Sequence, residues 1–275
     1  MDIFDILSLV CGLALFLYGM DVMGNGLKKS AGRKLKTILG NLTSSKLKGF
    51  LLGLGVTAII QSSSATTVMV VGFVNSGTML LSQAISVILG ANLGTAVTAW
   101  LTALNSLGSS EILSAVSFLD YLTPDFWMPI LALIGIGFIM FSKREKQKDV
   151  GTILLGFAVL MVGMSTMSSA VSGLKNSPEF HQILTVFTNP IIGVIAGTIL
   201  TAIVQSSSAS IGILQALSVT GGISFGMAIP IVLGQNIGTC VTAMLSALGA
   251  NKNGKRTAVA HLFFNVIGVV LWLSM

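Results

Sequence analysis

Charge is what this chain has least of. Only 9% of its 275 residues are charged, whereas 53% are hydrophobic and the mean hydropathy is +0.92; an average soluble domain carries about 25% charged residues. That imbalance excludes a soluble globular domain and marks an integral membrane protein. Strand-like alternation is also missing, which argues against a barrel. Apolar stretches of roughly 20 residues point to helices, the other way of satisfying every backbone amide in lipid. Cysteine is confined to Cys11 and Cys240, both inside apolar segments, so no disulfide framework is expected and cysteine says little about redox compartment. The stretch Ile3 to Met20 lacks a basic leader and a small-residue cleavage site, so it reads as a first membrane helix that stays on the chain. The net charge of +6 sits in short connections between apolar runs, which argues against nucleic acid as a partner. The acids lie near loops or helix ends, so an intramembrane hydrolase has no base for its nucleophile and no enzyme is expected.

Against this apolar background one polar tetrapeptide occurs twice, as Gln61-Ser62-Ser63-Ser64 and Gln205-Ser206-Ser207-Ser208, 144 positions apart. Buried hydroxyls and amides cost free energy unless they are paired, so a duplicated cluster suggests a shared ligand. The offset holds without a gap beyond the tetrapeptide. Gly49 to Ala65 over Gly193 to Ala209 gives ten identities in seventeen, and Ile88 to Leu104 over Val232 to Leu248 gives eleven in seventeen. Gly12, Gly19, Met20 and Met23 fall on Gly156, Gly163, Met164 and Met167. Matches in register over all three blocks establish a duplication, which decides the architecture.

Read in order, a first helix is expected from about Ile3 to Met23. Lys28, Lys29, Arg33, Lys34, Lys36, Lys46 and Lys48 follow with no acid among them, a cytoplasmic side by the positive-inside rule. Leu27 to Leu47 reads as an interfacial amphipathic helix with Leu35, Ile38, Leu39 and Leu42 on its apolar face. Gly49 to Ile60 supplies about 18 Å of helix at 1.5 Å per residue, enough for half a bilayer. With Ala65 to Val74 it reads as a re-entrant hairpin tipped by Gln61 to Ser64. Met79 to Leu104 is long enough to cross, but Gly90 to Thr95 at its middle predicts a locally unwound, broken helix. A loop carrying Glu111, Asp120 and Asp125 is placed outside, and Trp127 to Phe141 returns inward. In the second half the flanking charges reverse: Lys175 stands against Glu179 after Gly151 to Met167, whereas Lys252, Lys255 and Arg256 follow Leu248. The halves therefore insert in opposite senses. The expectation is an all-α polytopic membrane protein of two inverted-topology repeats, each with a membrane helix, a re-entrant helical hairpin and a broken helix. The repeats cover 1–142 and 150–275, joined by a cytoplasmic linker at 143–149, with both termini outside.

Each tetrapeptide opens the outgoing arm of its hairpin. The free amides and positive dipole end of that half-helix, with Ser hydroxyls and the Gln amide, suit an oxyanion. No Lys, Arg or His lies among these motifs, so other charges must balance a bound anion. Gln61, Asn92 and Thr95, with Gln205, Asn236 and Thr239, offer hard neutral oxygens, as would carbonyls freed by the helix breaks. Such groups suit Na⁺. Cotransport of an anion with more than one cation follows, with no cofactor beyond the coupling ion. The pairs Gly49/Gly53 and Gly193/Gly197 read as close helix packing. Thr57, Thr201, Thr98 and Thr242 leave backbone bonding and a place in the cavity both open. His261 and Asn265 share a helix face, and a structural role near the cytoplasmic interface is preferred to a metal or proton relay.

These motifs resemble the type II sodium/phosphate cotransporter family, which is marked by paired QSSS motifs in inverted repeats. The likeness rests on Gln61 to Ser64, Gln205 to Ser208, GANLGT at Gly90 to Thr95, GQNIGT at Gly234 to Thr239 and HLFFN at His261 to Asn265. It implies inorganic phosphate as substrate, Na⁺ as driving ion, both serine tips as substrate ligands and alternating access in a bacterial plasma membrane. Many bacterial members carry a cytoplasmic helical regulatory domain after this core, whereas the chain stops at Met275. Another oxyanion, a channel or a non-transporting scaffold are the rival readings, and a homo-oligomer is left open.

Overall fold

The computed structural model describes residues 2–31, 45–107 and 124–275, and all regular structure among them is helical. The chain forms α1 (Ile3–Ala31), α2 (Lys46–Ile60), α3 (Ser63–Asn75), α4 (Leu81–Leu107), α5 (Pro124–Phe141), α6 (Glu145–Val171), α7 (Pro178–Thr185), α8 (Pro190–Val204), α9 (Ser207–Ser218), α10 (Phe225–Ser246) and α11 (Lys252–Leu273). The duplication is written into these boundaries. α2 and α8 begin at 46 and 190 and end at 60 and 204, α3 and α9 begin at 63 and 207, and α4 and α10 begin at 81 and 225. All are separated by the same 144 positions as the motifs. Caps explain several starts: Ser45 accepts from Lys48 N at 3.3 Å, Asn189 from Ile191 N at 3.0 Å with Pro190 behind it, and Asn251 from Asn253 N and Gly254 N.

Among the described residues, five helices are long and apolar enough to cross a membrane, spanning Ile3–Ser30, Leu81–Ala103, Glu145–Leu174, Phe225–Ser246 and Lys252–Leu273. α2, α3, α8 and α9 have 15, 13, 15 and 12 residues, too short to cross about 30 Å of hydrocarbon singly.

The chain divides into two compact units. One comprises Met1–Gly32, Thr98–Ser177 and Gly212–Gly221, and the other Arg33–Val97, Pro178–Ile211 and Gly222–Met275. In the first, α1 and α6 pack antiparallel through glycines. A Cβ on Gly12 would stand 2.9 Å from the Gly163 carbonyl oxygen, and one on Gly19 would stand 2.7 Å from that of Gly156. Since Gly12 matches Gly156 and Gly19 matches Gly163 in the duplication, exchanging the two helices maps one contact onto the other.

In the second unit, α2 packs parallel to α4, and α8 parallel to α10. A Cβ on Gly53 would collide with the Val87 carbonyl and one on Gly90 with the Phe50 carbonyl. Their counterparts Gly197 and Gly234 meet Ile231 and Val194 in the same way. A core of Val56, Ile60, Val70, Val74, Met79, Ala84, Val87 and Ile88 fills the space between α2, α3 and α4. The start of α11 is latched to the end of α3: Asn251 N donates to Asn75 Oδ1 at 2.7 Å and Asn251 Nδ2 to the Asn75 carbonyl at 2.8 Å.

Two expectations are corrected. The GANLGT and GQNIGT stretches do not unwind; α4 and α10 run through them as continuous helix. Their glycines serve interhelical approach, so the carbonyls expected to be freed there remain in helical bonds. The first helix continues past Met23 to Ala31, which takes the start of the expected amphipathic segment; the rest of that segment, 32–44, lies outside the described residues, as do Glu111 and Asp120. The linker is helical from Glu145 onward, and Lys148 pairs with Glu145 at 3.3 Å on an exposed surface.

Candidate functional site

The chain does break at the two tetrapeptides. α2 ends where Gln61 adopts φ 58°, ψ 28°, and α8 ends where Gln205 adopts φ 55°, ψ 21°; they are the non-glycine residues with positive φ among the described residues. This left-handed conformation strains a residue with a Cβ. It turns the chain sharply while each Gln N–H still donates to the carbonyl one turn back, Thr57 or Thr201, at 2.7 Å. Ser62 then stands extended and caps α3, its Oγ accepting from Ala65 N at 3.2 Å. Ser206 repeats this with Ala209 N at 3.2 Å. One serine of each trio is thus occupied in starting the helix.

The other serines are differently placed. Ser63, Ser207 and Ser208 are buried and Ser64 is half-buried, at the first positions of α3 and α9, where amides have no partner within the helix. Both tips belong to the same compact unit. They differ in their side chains: Gln61 is buried, with Nε2 donating to the Ala58 carbonyl, whereas Gln205 is exposed.

The walls beside the tips are polar in an uneven way. Thr57 Oγ1 bonds Thr66 Oγ1 at 3.0 Å, and Thr66 in turn donates to the Ser62 carbonyl at 3.0 Å, bracing the first hairpin across its turn. In the second, Ser210 donates to the Ser206 carbonyl at 3.1 Å, but Thr201 Oγ1 is buried with no partner. On the same seam Gln235 is fully buried, and neither its Oε1 nor its Nε2 has a partner; Thr242 Oγ1 is likewise buried and unpaired. α8 and α10 approach closely along this seam: the Gln235 backbone nitrogen lies 3.0 Å from where a Gly197 Cβ would be, and Thr201 Cβ lies 2.7 Å from that of Gly238. A carboxamide left unpaired in an apolar interior costs about 1–3 kcal/mol. Sequence reasoning passed over Gln235, although a signal existed: it replaces Ala91 inside an otherwise matched block.

The expected cation ligands are scattered in state. Thr95 and Thr239 donate to their own helices, to the Ala91 carbonyl at 3.3 Å and the Gln235 carbonyl at 2.9 Å, leaving only lone pairs for a ligand. Asn236 is exposed, and its side chain makes no hydrogen bond among the described residues. Asn92 is half-buried and engaged. Its Oδ1 lies 3.1 Å from His261 Nε2, and its Nδ2 donates to Asn265 Oδ1 at 3.0 Å. The pair read from sequence as structural therefore touches a central residue of the duplicated block. Cys11 and Cys240 are both free thiols, and Cys240 Sγ accepts from Asn265 Nδ2 at 3.2 Å.

Comparison with known proteins places this arrangement. A family model described as Na⁺/Pi-cotransporter matches residues 15–169 and again residues 160–275, so one description fits each half. An uncharacterized protein of Bacillus subtilis, YqeW, is 33% identical over 98% of this chain and 81% of its own length. YjbB of Escherichia coli, provisionally named an inorganic phosphate export protein, is 28% identical over 98% of this chain and 46% of its own. The mouse sodium-dependent phosphate transport protein 2A is 24% identical over 96% of this chain and 60% of its own length. The chain thus spans about half the length of the Escherichia coli relative. No solved structure matches it.

Proposed function

Because the chain belongs to the Na⁺/Pi-cotransporter family, we propose that it carries inorganic phosphate across a bacterial plasma membrane, coupled to sodium, by alternating access between two inverted repeats. One observation carries the reading. Two tips with the same left-handed Gln each open a short helix whose first amides and hydroxyls lack intrahelical partners, and both tips lie in one compact unit. Amides and hydroxyls aimed from a helix start suit a tetrahedral oxyanion. In this reading Ser63, Ser64, Ser207 and Ser208 donate to phosphate, Ser62 and Ser206 hold the tips in shape, and Gln61 and Gln205 set the turns. Sodium offsets the anion's charge using oxygens of Asn92, Thr95, Asn236 and Thr239, joined by the unpaired groups of Gln235, Thr201 and Thr242. The glycine contacts of α1 with α6, which map onto themselves when the halves are exchanged, support the inverted arrangement.

Direction follows from thermodynamics. A symporter runs whichever way the summed sodium and phosphate gradients fall, so a name for sodium-dependent transport and a name for export are compatible with one site chemistry. The test is phosphate flux through the purified chain in liposomes, with sodium, potassium and proton gradients imposed separately. Uptake that follows the sodium gradient and reverses with it is expected. Flux indifferent to sodium would reject coupling, and currents far above transporter turnover would favour a channel.

A further inference from the structure

The polar circuit between α4 and α11 can be resolved atom by atom. Asn265 Nδ2 lies 3.0 Å from the carbonyl oxygen of His261, a group that only accepts, so the NH₂ of Asn265 faces it and Oδ1 turns toward Asn92. An oxygen presented to Asn92 at 3.0 Å requires a donor, which puts Asn92 Nδ2 on that side and its Oδ1 on the other. That Oδ1 stands 3.1 Å from His261 Nε2, so Nε2 carries the hydrogen. Nδ1, buried and unpaired, keeps its lone pair in the neutral ring. Two amide orientations and one tautomer follow from a single backbone carbonyl.

The circuit also reaches α10. Asn265 Nδ2 touches Cys240 Sγ at 3.2 Å, and that thiol lies 3.4 Å from the Asn236 carbonyl, to which it donates. Yet the two asparagines at its ends are not treated alike. Asn92 is gripped through both ends of its carboxamide, whereas the Asn236 side chain is exposed and makes no hydrogen bond among the described residues. At the repeat offset Ser117, Tyr121 and Ala96 stand where His261, Asn265 and Cys240 do. His261 is 1% exposed and Asn265 5%, so the grip is shielded from competing water.

We propose that His261 and Asn265 are positioning residues that hold the Asn92 carboxamide in one orientation, its second oxygen lone pair kept open for a small cation. This rests on the reading of Asn92 as a sodium ligand. Pre-orientation spares the rotamer cost of ordering that ligand when sodium arrives.

The full chain in liposomes tests this through sodium-activation curves at saturating phosphate, paired with the sodium-induced rise in melting temperature of the purified protein. His261→Phe removes the donor and frees the amide to flip; half-saturating sodium should rise about fivefold, the factor corresponding to one hydrogen bond, with the maximal rate at high sodium retained. His261→Gln, which restores an N–H near the position of Nε2, should recover most of the shift. In an Asn92→Ala background His261→Phe should add nothing, whereas its effect should combine independently with that of Asn236→Ala. Unchanged sodium activation in His261→Phe, or an equal shift in the Asn92→Ala background, would overturn the proposal. If that variant does not accumulate, His261→Asn, too short to reach Asn92, takes its place. Wild-type protein without sodium-dependent uptake would reject the transport reading alone, and the melting shifts would then decide the circuit by the same comparisons.

Discussion

At Gln61 and Gln205 a long polar side chain occupies backbone that glycine would adopt at less cost. Left-handed φ costs a residue with a Cβ about 1–2 kcal/mol, so Gln205→Gly should raise the melting temperature. If the amide serves the ligand, the same change should reduce phosphate uptake; a variant both more stable and fully active would remove Gln205 from the site. The serines separate in the same experiment. Ser62→Ala and Ser206→Ala delete caps and should cost about 1 kcal/mol of stability, visible as a lower melting temperature. Ser63→Ala and Ser207→Ala should leave melting nearly unchanged yet weaken apparent phosphate affinity by tenfold or more, since a hydrogen bond to a charged group is worth about 1.5–3 kcal/mol. Much of this was legible in the sequence, because repetition of QSSS singles it out without any coordinates. The division of labour within it was not. Which serine caps depends on the φ and ψ of the residue before it, and nothing in the string Ser-Ser-Ser distinguishes its members.

Among the helices, the glycines of α4 and α10 show how one signal supports two outcomes. Gly90 and Gly94 in the middle of a long apolar run fit either an unwound segment or a surface shaved for a neighbour, and the sequence of one helix does not contain the other. The neighbour decides: Gly90 lies against the Phe50 carbonyl and Gly94 against Thr57, a contact that the spacing Gly49/Gly53 had already suggested from the opposite side. Gly90→Ala should therefore destabilise by about 1–3 kcal/mol or more. Gly72→Ala, with nothing within 4 Å of the new methyl, should be neutral or gain up to about 1 kcal/mol in helix propensity. Equal melting temperatures for the two variants would mean that α2 and α4 do not pack as described. The α8–α10 seam makes the converse prediction. Gln235→Leu removes two unpaired polar atoms from a fully buried position and should stabilise the ligand-free protein by about 1–3 kcal/mol. If Gln235 serves the transported ions, the same change should depress transport. A drop in stability would show that its amide is already satisfied.

For the whole molecule, the 144-residue offset ties sequence to architecture, since it fixes the starts of α2, α3 and α4 and of their partners α8, α9 and α10. It does not fix which segments consolidate together. The two compact units take residues from both halves, as glycine contacts between α1 and α6 join elements far apart in the chain. Orientation in the membrane is where flanking charge and hairpin geometry give one joint prediction. Lys48 lies in the first turn of α2 and Ser76 follows α3, both exposed; if the hairpin is re-entrant, both face the basic side, which also holds Lys252 beside the Asn75–Asn251 latch. With Cys11 replaced by serine and Cys240 left buried, single cysteines at positions 48, 76 and 252 should react with an impermeant maleimide from the cytoplasmic side only, and one at Glu179 from the opposite side only. A spanning α2–α3 segment would instead place 48 and 76 on opposite faces. That result would remove the half-membrane tip on which an anion is supposed to rest, because hydroxyls at a helix start can serve a mid-membrane ligand only if the chain turns back before it crosses.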